Sequence, residues 1–135
     1  MPPERTNPED PREWLRRALS NLTRAREHQG NPDVLFEDLC FDAQQASEKA
    51  LKALFVLKGK QVPRTHSIGD LLTELGTLGF DIPPGVKEAA SLTDYAVATR
   101  YPGPSDPVVR EDLDDAVRMA GAVFSWASEI VTTSA

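Results

Sequence analysis

The chain has 135 residues, 40% hydrophobic, 27% charged and 7% aromatic, with a formal net charge of −6. That is about one domain of ordinary soluble composition, which excludes a disordered tail, a collagen-like repeat or two independent domains. The single cysteine, Cys40, excludes an intramolecular disulfide scaffold, reads as a small core residue, and points to a reducing, cytoplasmic setting.

The first ten residues hold three prolines and almost no apolar side chain, so 1–10 reads as a flexible leader. A first helix is expected from Asp10, a plausible N-cap followed by Pro11 and Glu13, with Trp14, Leu15, Ala18, Leu22 and Ala25 at helical spacing. Its polar side carries Arg12, Arg16, Arg17, Arg24 and Arg26, and His28, Gly30 and Asn31-Pro32 close it. From Asp33 to Lys58 no Pro or Gly intervenes, and the stripe Leu35, Leu39, Ala43, Ala46, Ala50, Leu54, Leu57 predicts a long second helix. A second stripe of Cys40, Ser47, Leu51 and Phe55 gives it neighbours on two sides, making it the central helix, which Gly59 ends.

Thr65 or Ser67 can cap a short third helix bearing Ile68, Leu71, Leu72 and Leu75. After Gly76, Gly79 and Pro83-Pro84, a fourth helix carries Val86, Ala89, Ala90, Leu92, Ala96 and Val97 and must stop before Pro102. A stiff proline-rich loop, 101–107, leads to a fifth helix from near Asp106 to about Ile130. No segment alternates as a strand would, so the chain reads as all-α, an up-and-down bundle of four to five helices. It forms one domain over 11–131, with 132–135 as a tail.

No apolar run approaches the ~18 to 20 residues of a membrane span, and no signal-peptide pattern opens the chain, so neither a membrane span nor export by a signal peptide is expected. His28 and His66 are the only histidines, and no HxxE, HExxH or CxxC spacing accompanies them, so no metal and no other cofactor is expected. No serine stands out as the nucleophile of a Ser-His-acid site, and no Walker loop is present. The negative net charge argues against bulk nucleic-acid binding, but the balance is uneven. Residues 1–67 carry 11 Lys/Arg against 10 Asp/Glu, residues 68–135 carry 4 against 11, and 49–69 contain no acid at all.

Three segments remain. Along the second helix Gln44, Gln45, Glu48, Lys49 and Lys52 form a polar side, read most simply as a solvated face with an i,i+4 Glu48–Lys52 pair. Thr65-His66-Ser67 opens the third helix, where His66 could meet a phosphate but more simply caps the turn. In DYAVATRYPG (94–103), Tyr95, Arg100 and Tyr101 end the fourth helix beside a rigid turn, with Arg100 favourably facing the helix dipole.

In this order, "AQQASEKALKAL", the "TH" before the third helix and "YAVATRYPG" followed by an amphipathic helix resemble the HEPN family, small prokaryotic helical-bundle proteins, over about Trp14 to Ile130. The resemblance implies an up-and-down bundle, usually a homodimer, often encoded beside a minimal nucleotidyltransferase with which it forms a toxin–antitoxin pair. Many members are metal-independent ribonucleases whose site is an Arg followed after four to six residues by a His. Proton shuttling from the 2′-hydroxyl suits His, and stabilising charge on the phosphate suits Arg. Arg100 matches the arginine, but Ser105, Asp106 and Pro107 stand where the histidine belongs.

The reading that follows is a non-catalytic module binding nucleotide, RNA or a nucleotidyltransferase. In it Arg100 and Lys52 contact phosphate, Tyr95 and Tyr101 stack or hydrogen-bond, His66 lies at the rim, and Glu48 is counted among the binding residues. The alternative is an endoribonuclease toxin with a degenerate site, in which Arg100 is catalytic and His66 or a tyrosine moves the proton. Trp14, Phe124 and Trp126 could close the monomer core or face a second subunit.

Overall fold

The computed structural model describes residues 7–96 and 107–134. Helix α1 spans Pro11–Glu27. The Asp10 carboxylate accepts the Arg12 backbone N–H at 2.9 Å, Pro11 occupies the first turn, and Glu13 lies beside the helix's positive end. Helix α2, Phe36–Leu57, begins three residues later than its lack of Pro and Gly suggested. The Asn31 side chain and carbonyl capture the N–H groups of Asp33 and Val34, and this local turn competes with helix at Asp33.

The ends of α2 and of α3, Ile68–Thr77, are the same device. Lys60 N–H reaches Phe55 O and Gly59 N–H reaches Val56 O; Phe80 N–H reaches Leu75 O and Gly79 N–H reaches Gly76 O. Both are Schellman closures, and they require the positive φ of Gly59 (68°) and Gly79 (100°). At its other end α3 is capped by Ser67, whose hydroxyl accepts the Asp70 N–H at 3.2 Å, while Thr65 accepts the Ser67 N–H. His66 is not the cap.

The expected fourth helix is instead one α turn, α4 (Pro84–Lys87), running into a nine-residue 3-10 helix, Glu88–Ala96. Val86, Ala89 and Leu92 recur every three residues and are all buried, the period of a 3-10 rather than an α helix. Val97 lies outside the described residues. Helix α5, Arg110–Thr133, starts after non-helical residues 107–109 and runs past Ile130. The Asp112 carboxylate accepts the Val109 N–H at 3.0 Å and fixes that start.

Helix α2 is the centre of the bundle, packed most extensively against α1 and α5 and touching α3 and the 3-10 helix. The second apolar stripe is buried, and so is the first from Leu39 to Leu54, whereas Leu35 precedes the helix and is 60% exposed and Leu57 is half-buried. Ala43, Ala46, Ala50 and Ala53 have no solvent exposure, so neighbouring backbones approach closely. Leu22, Leu51, Leu54, Leu71, Leu75, Leu92 and Leu113 fill the remaining space, each contributing about 1.5–3 kcal/mol of burial. The large aromatics find partners within the chain: Trp126 meets Phe80 edge-on at 6.2 Å, and the Trp14 indole donates to Pro8 O at 2.8 Å. Among the described residues there is no strand, and no helix is long and apolar enough to cross a membrane.

Candidate functional site

The polar side of α2 is not a solvated face. Gln44, Glu48 and Lys52 are 0%, 4% and 8% exposed, because α1 covers one flank of this side and the segment opening α3 covers the other. A carboxylate this deep needs partners, and Glu48 has four. Its Oε1 accepts from Lys52 Nζ at 2.7 Å and from His66 Nδ1 at 2.8 Å; its Oε2 accepts from Gln44 Nε2 at 3.0 Å and Gln45 Nε2 at 3.2 Å. Gln44 Nε2 also reaches the His66 carbonyl, and Gln44 Oε1 accepts from Gln45. Burial alone would raise the Glu48 carboxyl pKa, but the bonds from Lys52, Gln44 and His66 outweigh it and hold the group below the usual carboxylate range.

The imidazole of His66 is 72% exposed although one of its nitrogens is tied to a buried acid. An ionised carboxylate only accepts, so Nδ1 carries the proton and a neutral His66 keeps its lone pair on Nε2. The buried cluster thus fixes the tautomer and the ring plane of an accessible histidine. Lys52 neutralises Glu48 and is committed to it.

A second polar group continues along the same side of α2, toward α1. Asp42 Oδ1 accepts from Asn21 Nδ2 at 2.9 Å and Arg24 Nη2 at 2.5 Å, while Lys49 Nζ donates to the Asn21 amide oxygen at 2.7 Å. The pairing of Asn21 with both Asp42 and Lys49 locks α1 against α2. Neither Asn21 nor Asp42 stood out as a site residue, yet Asn21 interrupts the apolar stripe of α1 between Ala18 and Ala25, and a polar side chain at a core position signals a buried partner.

Tyr95 lies elsewhere. It is half-buried against the core, near the Cys40 thiol, which is two turns of α2 or about 12 Å from Glu48. Burial pushes the Cys40 thiol to about 12, aided by the charges of Asp112 and Glu37, and burial with the adjacent Cys40 pushes the Tyr95 phenol to about 12. Arg100 and Tyr101 lie outside the described residues. The structure therefore brings together Glu48, Lys52 and His66 and sets Tyr95 apart from them. Among the described residues no group of three or more His, Cys, Asp and Glu side chains is placed to hold a metal ion.

The HEPN domain model matches residues 11–131. No curated protein matches the chain significantly. Among solved structures it is similar to TT1696 from Thermus thermophilus, at 36% identity and a TM-score of 0.77 over 88% of this chain and 96% of that one. It is also similar to ST0689, an archaeal HEPN homologue, at 26% identity and a TM-score of 0.73 over 90% and 98% of the two chains. A HEPN domain protein from Thermotoga maritima, tm0613, aligns at 25% identity and a TM-score of 0.66 over 88% and 97%. Bundle, motif order and full-length likeness agree, and the chain belongs to the HEPN domain family.

Proposed function

We propose that this HEPN-domain protein is a non-catalytic module that binds a phosphate-bearing ligand, a nucleotide or RNA, as partner of a minimal nucleotidyltransferase in a toxin–antitoxin type pair. The observation that carries the ligand reading is the exposed His66 imidazole fixed by the buried Glu48. A surface histidine without a ligand gains little from a preformed orientation, whereas one that must meet a phosphate oxygen or a sugar hydroxyl avoids part of the ordering cost of binding. His66 belongs to the acid-free stretch 49–69, whose Lys58, Lys60 and Arg64 make that part of the chain basic and favour an anionic ligand. Arg100 is proposed as a further phosphate contact. The nucleotidyltransferase and a homodimeric state follow from the family resemblance.

The test is fluorescence-detected binding of a mononucleotide and of a short single-stranded RNA over a salt series, for the parent protein, His66→Ala and Arg100→Ala. The expected result is salt-sensitive binding, weakened in both variants, with the RNA left intact. Binding unchanged in both variants would overturn the reading. Co-expression with a minimal nucleotidyltransferase encoded beside it, followed by size-exclusion chromatography, tests the partner.

The Glu48–His66 bond also favours the second reading, a metal-independent endoribonuclease. A carboxylate-oriented imidazole with a free Nε2 is what removal of a 2′-hydroxyl proton requires, and it would replace the histidine missing after Arg100. RNA cleavage in EDTA that disappears in both His66→Ala and Arg100→Ala would establish this reading over the first.

A further inference from the structure

The chain as a whole is acidic, yet the groove where α1 meets the polar side of α2 is not. In that groove Arg16, Arg17, Arg24, Lys49 and Lys52 face three carboxylates, Glu13, Asp42 and Glu48. Glu13 serves both Arg16 and Arg17, Asp42 serves Arg24, and Glu48 serves Lys52. The Lys49 ammonium is left with an amide oxygen, that of Asn21, although it sits in the field of Arg17 and Arg24. Two positive charges are therefore uncompensated in a protein of net charge −6. The guanidinium groups of Arg17 and Arg24 remain 53% and 58% exposed, with donors to spare for a ligand.

Resting on the ligand reading above, we infer that the α1–α2 groove is a second phosphate subsite, with Lys49 and Arg17 as its contacts, so that the ligand is a single-stranded oligonucleotide and not a mononucleotide. The register of α1 supports the length. Arg17 and Arg24 stand seven residues apart, two turns along one side of α1 or about 10 Å, and both guanidinium groups are exposed beside Lys49. A stacked strand presents one phosphate per ~3.4 Å, so this edge of the groove spans about three phosphates, more than a mononucleotide monophosphate supplies. Burial is the main reason the Lys49 pKa is depressed, and Arg24 and Arg17 push it down further against the opposing pull of Glu48 and Asp42.

The experiment compares a short single-stranded RNA with a mononucleotide across a salt series, using Lys49→Gln and Arg17→Gln. Arg17 is exposed on α1, so its variant keeps the fold even where loss of Lys49 loosens the helix pair; circular dichroism monitors both. The expected result is several-fold weaker RNA binding and a salt slope reduced by about 0.7 in each variant, with mononucleotide affinity unchanged. RNA that binds no more tightly than mononucleotide, with a slope that neither variant alters, would overturn the second subsite while leaving the His66 reading intact. Failure of both ligands to bind the parent protein would overturn both.

Discussion

Replacing Glu48 by glutamine tests the central claim about the polar side of α2. The change keeps the side chain's size but leaves one acceptor oxygen where there were two, so it can serve either Lys52 and His66 or Gln44 and Gln45, and it removes the negative charge that faces the Lys52 ammonium at 2.7 Å. Lys52 is only 8% exposed and cannot turn to water cheaply, so the variant holds a buried cation without its counter-ion. Breaking a buried pair in this way costs about 3–5 kcal/mol, whereas an exposed pair is worth about 0.2–1 kcal/mol. For 135 residues the unfolding entropy is about 0.28 kcal/mol/K, so the expected fall in Tm is roughly 10 to 18 °C. Urea unfolding should show a lower midpoint at constant slope. The double variant Glu48→Gln, Lys52→Met removes the stranded charge and should recover most of the loss. A cost below about 1 kcal/mol for Glu48→Gln, or a double variant no more stable than the single one, would refute the buried-pair account.

Glu48 has a folded pKa below its ordinary value, so its contribution is present above the usual carboxylate range and is lost as pH falls through the lower folded value. The acid limb of stability against pH should accordingly be flatter in Glu48→Gln, measured as urea midpoints from neutral pH downward. Cys40 is fully buried and its thiol is raised to about 12, so iodoacetamide should label it at the rate of unfolding and not at that of a free thiol; rapid native labelling would contradict its placement. Gly79→Ala and Gly59→Ala place a Cβ at φ of 100° and 68° and should each cost about 1–2 kcal/mol by urea midpoint, although no atom lies within 4 Å of the added Cβ.

The order of the helices was legible because apolar residues recur at helical spacing and Gly or Pro punctuates every junction. The start of α1 at Asp10 and the ends of α2 and α3 at glycines were readable for the same reason: capping is local chemistry. The 3-10 helix was misread as α because Val86, Ala89 and Leu92 fit both periods over so short a run. The polar side of α2 was misread because spacing along one helix does not tell what covers it. Gln44, Glu48 and Lys52 sit at the i,i+4 spacing of a solvated surface pair, and only the arrival of His66 at the opening of α3 and of Asn21 from α1 turns that surface into an interior. His66, Lys52 and Glu48 were legible as three of six candidates, with Arg100, Tyr95 and Tyr101, but that they touch one another with Glu48 as the hub, and that Tyr95 lies near Cys40 instead, took the packing of α2 against the opening of α3 to show.

The nine-residue 3-10 helix sets a local clock for the histidine. Its i,i+3 hydrogen bonds are poorer in geometry than those of the α-helices around it, so Glu88–Ala96 should be among the first segments to exchange its amides with solvent. It is not an isolated weak point, because the Thr93 hydroxyl accepts the N–H of Ile68, the first residue of α3, at 3.0 Å. Each opening of the 3-10 helix should therefore remove one of the bonds that hold the start of α3, two residues from His66, and leave it to the Ser67 cap. The frequency of that opening, and not the strength of the Glu48 bond alone, should bound how long the imidazole stays fixed against Glu48.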